Sequence, residues 1–189
     1  MYAKTTRYLI VLFLLAAAFA CSKKTVPPQP GLGAEGAPGG GFGTEGGGGT
    51  LAGLDDAKWR ELGITSEQEK REFLQRAEPF ENEDIFFDYD SYVLSEPAKR
   101  TLDKKVDFIK RYPKVKVTIE GHCDERGTTE YNLALGERRA NAAFQYVTAA
   151  GANRQNLGTI SYGKERPIAT GHDEASWAKN RRAHFALIY

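Results

Sequence analysis

The placement of glycine sets the strongest limit on what this chain can fold into. Of its twenty Gly, twelve fall between Gly31 and Gly53, in a segment that also contains Pro, Ala and Thr but few large apolar side chains. Such a segment buries too little apolar surface to offset the entropy lost on ordering, so we expect a disordered tether over 21–54. A single core across the whole chain is therefore excluded. About 110 residues towards the C-terminus remain, a usual size for one domain.

Charge and cysteine content narrow the class of protein. The formal net charge is +1, and acidic and basic residues are interspersed. This balance gives no general electrostatic reason to bind nucleic acid, which usually requires a basic face. The only two cysteines, Cys21 and Cys123, do not suggest a disulfide framework.

The first twenty residues have the pattern of a secretory signal peptide. Lys4 and Arg7 precede residues 8–20, an apolar run too short to cross the ~30 Å core of a bilayer as a helix. The run ends in AFAC (18–21), which resembles the lipobox of bacterial lipoproteins. That resemblance implies a signal peptide over 1–20, lipid such as palmitate on Cys21 and, because Ser22 follows instead of Asp, delivery to the periplasmic face of the outer membrane. The alternative is plain secretion with Cys21 left free.

Residues 55–80 are charged and helix-prone, and we expect a helical linker there. Ser66 and Glu69 have the spacing of a capping box, which predicts a helix near 66–77. Phe73, Leu74 and Ala77 give this helix a modest apolar stripe. The pattern leaves open whether the helix packs on the domain that follows.

Residues 81–189 predict an α+β domain. Val115, Val117 and Ile119 alternate with polar residues, as in a half-buried strand, and Gly151 is suited to end a long helix. In order, the expected elements are a strand at 85–87, a helix from 95 to 112, a strand at 115–120, a helix at 130–150, a strand at 157–162, a short helix at 174–180 and a strand at 182–189. This β-α-β-α-β-β order predicts a two-layer sandwich, with a four-stranded mixed sheet and helices packed on one face.

A charged loop and the helix after it form the candidate site. Asp124 lies in the loop at 121–128, which joins a strand to a helix N-terminus. On the helix, Arg139 lies only about 20° from Asn132, whereas Arg138 lies about 120° away from that face. A carboxylate beside a guanidinium can hold a zwitterion, because the acid accepts from an ammonium and the guanidinium grips a carboxylate. The alternative is that Asp124 and Arg139 pair with each other.

The same segments resemble the peptidoglycan-associated lipoproteins, which belong to the wider OmpA-like family. The similarity covers about 83–189, and the lipobox and tether stand where that family has them. The motifs that carry it are FDYDS (87–91), GHCDERGT (121–128), NLALGERRA (132–140), SYGKERP (161–167), GHDE (171–174) and NRRA (180–183). Together and in this order the motifs are far more specific than any one alone.

The resemblance implies a ligand and a role for each site residue. The ligand is the diaminopimelate of the peptidoglycan peptide, with Asp124 on its ammonium and Arg139 on its carboxylate. The family's remaining contacts fall on three groups of residues. They imply an opposite wall of Phe87, Asp88 and Asp90, backbone contacts at Gly127 and Thr128, and a floor of Asn132 and Leu135.

The resemblance further implies partners and a cellular role. The partners are peptidoglycan and the Tol proteins, chiefly TolB, and the role is to link the outer membrane to the cell wall for envelope integrity and cell division. The implied binding breaks no bonds, so we expect neither an enzyme nor a cofactor. The consecutive His122, Cys123 and Asp124 point alternately to opposite sides in extended backbone, which argues against a metal site or a Cys–His pair. The alternatives are a peptidoglycan-processing enzyme and a stator-type wall anchor.

Overall fold

The computed structural model of the chain describes residues 53–189. The signal peptide, Cys21 and nearly all of the tether therefore lie outside the described residues. The α-helices and strands, in chain order, are α1 (Asp56–Glu61), α2 (Glu67–Asn82), β1 (Ile85–Phe86), α3 (Glu96–Arg111), β2 (Lys116–His122), α4 (Thr129–Ala149), β3 (Leu157–Gly163), α5 (Glu174–Asn180) and β4 (Arg182–Ile188), with a short 3₁₀ helix (Arg154–Asn156) before β3. Within this part of the chain, no helix combines the length and the apolar character needed to cross a membrane.

The four strands form one mixed sheet in the order β1-β4-β2-β3. Central β2 pairs in parallel with β3 and antiparallel with β4, and β1 pairs antiparallel with β4. One face carries Val117, Ile119 and Phe185, which are buried with the apolar sides of α3 and α4. The other face carries partly exposed groups such as Glu120 and His184. The expected α+β fold with a four-stranded mixed sheet is confirmed.

The helical segment before the sheet packs on the core, which the sequence left open. The predicted capping box forms, with the Ser66 hydroxyl accepting from the Glu69 amide at 3.1 Å and the Glu69 carboxylate accepting from the Ser66 amide at 3.0 Å. Helix α2 continues to Asn82, beyond the expected end at 77 and through Pro79. Its extra turn is held by Phe80, whose ring stacks on Phe108 with centroids 4.3 Å apart.

The boundaries near the candidate site also differ slightly from expectation. Strand β2 runs on through Gly121 and His122, so the expected loop at 121–128 begins at Cys123. Helix α4 begins at Thr129, and the positive φ of Gly151, 98°, follows its end as predicted. The side chain of Thr128 accepts from the amide of Tyr131 and so caps α4 at the edge of the site.

A lysine is buried between α2 and α3. Lys105 is 2% exposed, and its ammonium donates to the Phe80 carbonyl in the last turn of α2. The same ammonium lies 4.6 Å from the ring centroid of Phe80 and 4.7 Å from that of Phe185. Burial lowers the pKa of Lys105 to about 8, against the opposing effect of nearby carboxylates, first among them Asp84.

Replacing Lys105 by methionine is expected to flatten the pH dependence of stability. Between the folded pKa of about 8 and the unfolded value of 10.5, the unfolded state binds a proton that the folded state lacks. The free energy of unfolding of the wild type therefore rises with pH in this window, by about 3 kcal/mol relative to the variant. Urea unfolding of both proteins at several pH values between 7 and 10.5 measures the difference.

The neighbouring Lys104 is the matched control for this experiment. Its side chain is 68% exposed and pairs with Glu83 at 2.9 Å. Lys104→Met should follow the pH dependence of the wild type. Parallel curves for the wild type and Lys105→Met would contradict the assigned effect of burial.

Candidate functional site

A polar pocket of about 150 Å³ opens where β2 ends and α4 begins. It combines acidic, basic and aromatic side chains, and the strand, the helix and the segment after β1 all contribute to it. Its lining residues are Tyr89, Asp90, Cys123, Asp124, Arg126, Gly127, Tyr131, Asn132, Leu135 and Arg139.

Six of the nine residues expected to bind peptidoglycan line this pocket, and the other three adjoin it. The lining six are Asp90, Asp124, Gly127, Asn132, Leu135 and Arg139. Phe87 is buried beneath the guanidinium of Arg139, 5.3 Å from its ring centroid, and Asp88 contributes its backbone carbonyl to the same guanidinium. Thr128 acts as the cap of α4. Of these three residues, Phe87 is buried, whereas Asp88 and Thr128 are exposed.

Arg139 lies under the pocket and bonds to the chain segments that form it. The residue is 0% exposed. Its Nε donates to the Ser91 carbonyl at 2.8 Å, Nη1 to the His122 carbonyl at 2.8 Å and Nη2 to the Asp88 carbonyl at 3.2 Å. Burial lowers the pKa of Arg139 from its usual value. The guanidinium thus joins the segment after β1 to the end of β2, with its edge at the floor of the pocket.

Asp124 is held by arginines other than Arg139. Arg126 grips its carboxylate with Nε at 3.1 Å and Nη2 at 2.7 Å, and Nη1 of Arg181 lies at 3.4 Å. The direct Asp124–Arg139 ion pair, the alternative left open by the sequence, is wrong. Burial by itself would raise the pKa of Asp124, but the hydrogen bonds from Arg126 and Arg181 outweigh it, so the pKa lies below its usual value.

The loop over the pocket is shaped by Asn132 and Gly127. The Asn132 amide donates to the carbonyls of Arg126 at 2.8 Å and Thr128 at 3.1 Å, which folds the loop back onto α4. Gly127 has a φ of 89°, in the left-handed region that side chains rarely adopt. Its carbonyl accepts from the Lys164 ammonium at 2.8 Å.

The surroundings of Cys123 and His122 indicate that both residues belong to the packed interior of the domain. Cys123 is buried, its thiol donates to the Asn132 carbonyl at 3.3 Å, and burial raises its pKa, so the reactive thiolate is disfavoured. His122 is buried too, and its Nε2 lies 3.5 Å from the carboxylate of Glu120, two residues earlier on β2. Over residues 53–189, no three His, Cys, Asp or Glu side chains come together as a metal site would require.

Sequence reasoning missed four residues of the site. Arg126 and Arg181 hold Asp124, Tyr89 lines the pocket, and the Tyr131 hydroxyl donates to Asp90. Arg126 and Arg181 stood inside the GHCDERGT and NRRA motifs, which was the signal available for them. A pairing between the loop at 124 and the chain at 181, however, leaves no trace in local spacing.

The mixed four-stranded sheet and the polar pocket between β2 and α4 are those expected of an OmpA-like domain, and comparison with known proteins agrees with this class. The chain belongs to the OmpA family, whose model matches residues 86–181. Within that family it is similar to the peptidoglycan-associated lipoprotein of Brucella melitensis, with 50% identity over 99 residues, which are 52% of this chain and 59% of the relative. The match thus spans less than two thirds of that protein's length.

Two solved structures extend the comparison. The crystal structure of the peptidoglycan-associated lipoprotein from Burkholderia pseudomallei is 41% identical, with a TM-score of 0.56, and the match covers 58% of this chain and 93% of that one. The C-terminal domain of Helicobacter pylori MotB has a TM-score of 0.54 at 21% identity over 57% of this chain and 84% of its own, and indicates the fold alone. The lipoprotein relatives are named for association with peptidoglycan and not for a reaction, in agreement with the expectation of a non-enzymatic protein.

Proposed function

We propose that this chain is an outer-membrane lipoprotein that binds the diaminopimelate-containing peptide of peptidoglycan without covalent chemistry. Lipid on Cys21 anchors it, the polar pocket binds the wall peptide, and TolB and other Tol proteins are its partners in envelope integrity and cell division. The observation that carries the proposal is the pocket, which brings Asp124 and Arg139 together in a chain 50% identical to a peptidoglycan-associated lipoprotein.

The charges in the pocket support a zwitterionic ligand. Asp90 and Asp124 offer acceptors to an ammonium, and Arg139 offers donors to a carboxylate. The free end of a diaminopimelate side chain presents both groups on one carbon. Tyr89 and Tyr131 are exposed around the mouth and add apolar contact area for the rest of the peptide.

The position of the turn before α2 supports a bridging role. The turn between α1 and α2 lies beside the turn that precedes β2, since Gly63 and Lys114 line one surface depression there. The polar pocket lies at the other end of β2, and a strand of this length separates the two by about 20 Å. The turn through which the chain enters α2 therefore lies at the end of the sheet opposite the pocket. The disordered tether that the composition of 21–54 predicts would add a root-mean-square reach of about 30 Å.

Replacing Asp124 by asparagine is expected to weaken binding to the cell wall. The substitution keeps the size of the side chain but removes its charge, and losing a charge-assisted hydrogen bond to an ammonium costs roughly tenfold or more in affinity. Co-sedimentation of the full-length protein with purified diaminopimelate-containing sacculi measures the bound fraction.

The control is Asp107→Asn, which removes the same charge from an exposed position on α3. It should sediment with sacculi as the wild type does. Equal binding by the wild type and both variants would discard the pocket as the wall-binding site.

A further inference from the structure

The carboxylate of Asp124 has no free acceptor site. A carboxylate offers about four lone-pair positions, and four N–H groups meet them here. Oδ1 receives the backbone amide and the Nε of Arg126, each at 3.1 Å, and Oδ2 receives Nη2 of Arg126 at 2.7 Å and Nη1 of Arg181 at 3.4 Å. Asp124 is only 5% exposed. A ligand ammonium therefore has to displace a donor before it can bind.

Of the two arginines, Arg126 is the one able to move. Arg181 has a side chain only 7% exposed and is fixed by bonds to the Phe87 carbonyl at 3.1 Å and to Glu174 at 2.6 Å. The side chain of Arg126 is 30% exposed and reaches Asp124 from the mouth of the pocket.

Two rings and a second carboxylate give Arg126 another place to bind. Its guanidinium carbon lies 4.2 Å from the ring centroid of Tyr89 and 4.2 Å from that of Trp177, so the group is held between two aromatic faces. Its Nη2 is 3.8 Å from Oε2 of Glu174, whose side chain is 64% exposed. A small pivot between the rings would bring the guanidinium from Asp124 to Glu174 with its charge still compensated.

We propose that Arg126 is a displaceable latch over Asp124, with Glu174 as its alternative partner. This inference rests on the proposed function of the pocket. A ligand that carries an ammonium replaces the guanidinium on Asp124 and drives Arg126 onto Glu174. A ligand without an ammonium leaves the latch closed, so the latch makes binding selective for the free amine.

The proposal predicts opposite changes in ligand affinity for substitutions at Arg126 and at Glu174. The probe is a soluble disaccharide tetrapeptide with meso-diaminopimelate, compared with the same compound acetylated on the side-chain amine. By isothermal titration of the full-length protein, Arg126→Met should bind the free amine about tenfold more tightly, because the competing donor is gone. Glu174→Gln should bind it several-fold more weakly, because the open latch loses its partner. The affinity for the acetylated compound should change in neither variant.

The controls separate failure of the latch from failure of the proposed function. Arg138→Met removes an exposed arginine of α4 and should leave both affinities unchanged. Weaker binding of the free amine by Arg126→Met would overturn the latch and make Arg126 a ligand contact, and an unchanged affinity in Glu174→Gln would overturn the assigned alternative partner. If the wild type bound neither compound, the proposed function of the pocket itself would fall.

Discussion

Replacing Arg139 by alanine is expected to destabilise the domain by about 4 kcal/mol, because each buried polar group left without a partner costs about 1–3 kcal/mol. The guanidinium supplies the donors for three carbonyls, those of Asp88, Ser91 and His122. Truncation also leaves a cavity at a residue with no exposed surface. Urea denaturation followed by circular dichroism measures the change in the free energy of unfolding.

Arg138 is the matched control for this prediction. It precedes Arg139 on α4, is exposed, and should lose less than about 0.5 kcal/mol on replacement by alanine. Arg139→Lys tests the geometry of the group, since one ammonium keeps the charge but cannot reach three separated carbonyls. A free energy of unfolding for Arg139→Ala within about 1 kcal/mol of the wild type would refute the structural role.

The three hydrogen bonds of Arg139 limit what a binding experiment with an Arg139 variant can show. Loss of wall binding by Arg139→Ala alone would not distinguish a missing ligand contact from a collapsed pocket, because Arg139 joins the segment after β1 to β2. Asp124→Asn keeps the size of the side chain and is the milder change, and urea denaturation of this variant shows whether Arg126 and Arg181 still hold the loop. A large loss of stability at Arg139 together with a large loss of binding at Asp124 would assign the two residues different tasks.

Much of the fold was predictable because its signals are local. The alternation of apolar residues predicted β2, and the left-handed glycine at 151 predicted the end of α4. The end of α2 was not predictable, since it depends on Phe80 packing against Phe108 and on Lys105 donating to the Phe80 carbonyl. Those partners lie more than twenty residues away, beyond any helical or strand period.

The candidate site, like the fold, has features that were predictable from local sequence and features that were not. Helical geometry favoured Arg139 over Arg138, and the structure buries the first and exposes the second. The ion pair between Asp124 and Arg181 was beyond sequence reasoning, because it depends on the fold bringing the start of the last strand back to the loop. Opposite charges in one pocket were predictable, but the competition among the arginines for one carboxylate was not.

Replacing Gly121 by alanine is expected to destabilise the domain by about 3 kcal/mol, at the upper end of the usual cost of overpacking a core. Helix α4 crosses β2 in backbone contact, so a Cβ at Gly121 would overlap the carbonyl of Gly136. A main-chain carbonyl cannot turn aside as a side chain can, and the helix would have to lift from the sheet. Because Asn132 and Leu135 stand on the same part of α4, the polar pocket would widen as the helix moved.

Urea denaturation measures the loss of stability, and Gly158→Ala on β3 is its control. Gly158 pairs with Thr118, which lies on the face of the sheet away from α4, because alternate residues of a strand point to opposite faces. Alanine at 158 should therefore leave the protein as stable as the wild type or slightly more stable, since glycine is the more costly residue to order in a strand. If Gly121→Ala proved as stable as Gly158→Ala, the close crossing of α4 and β2 could not be what positions the pocket.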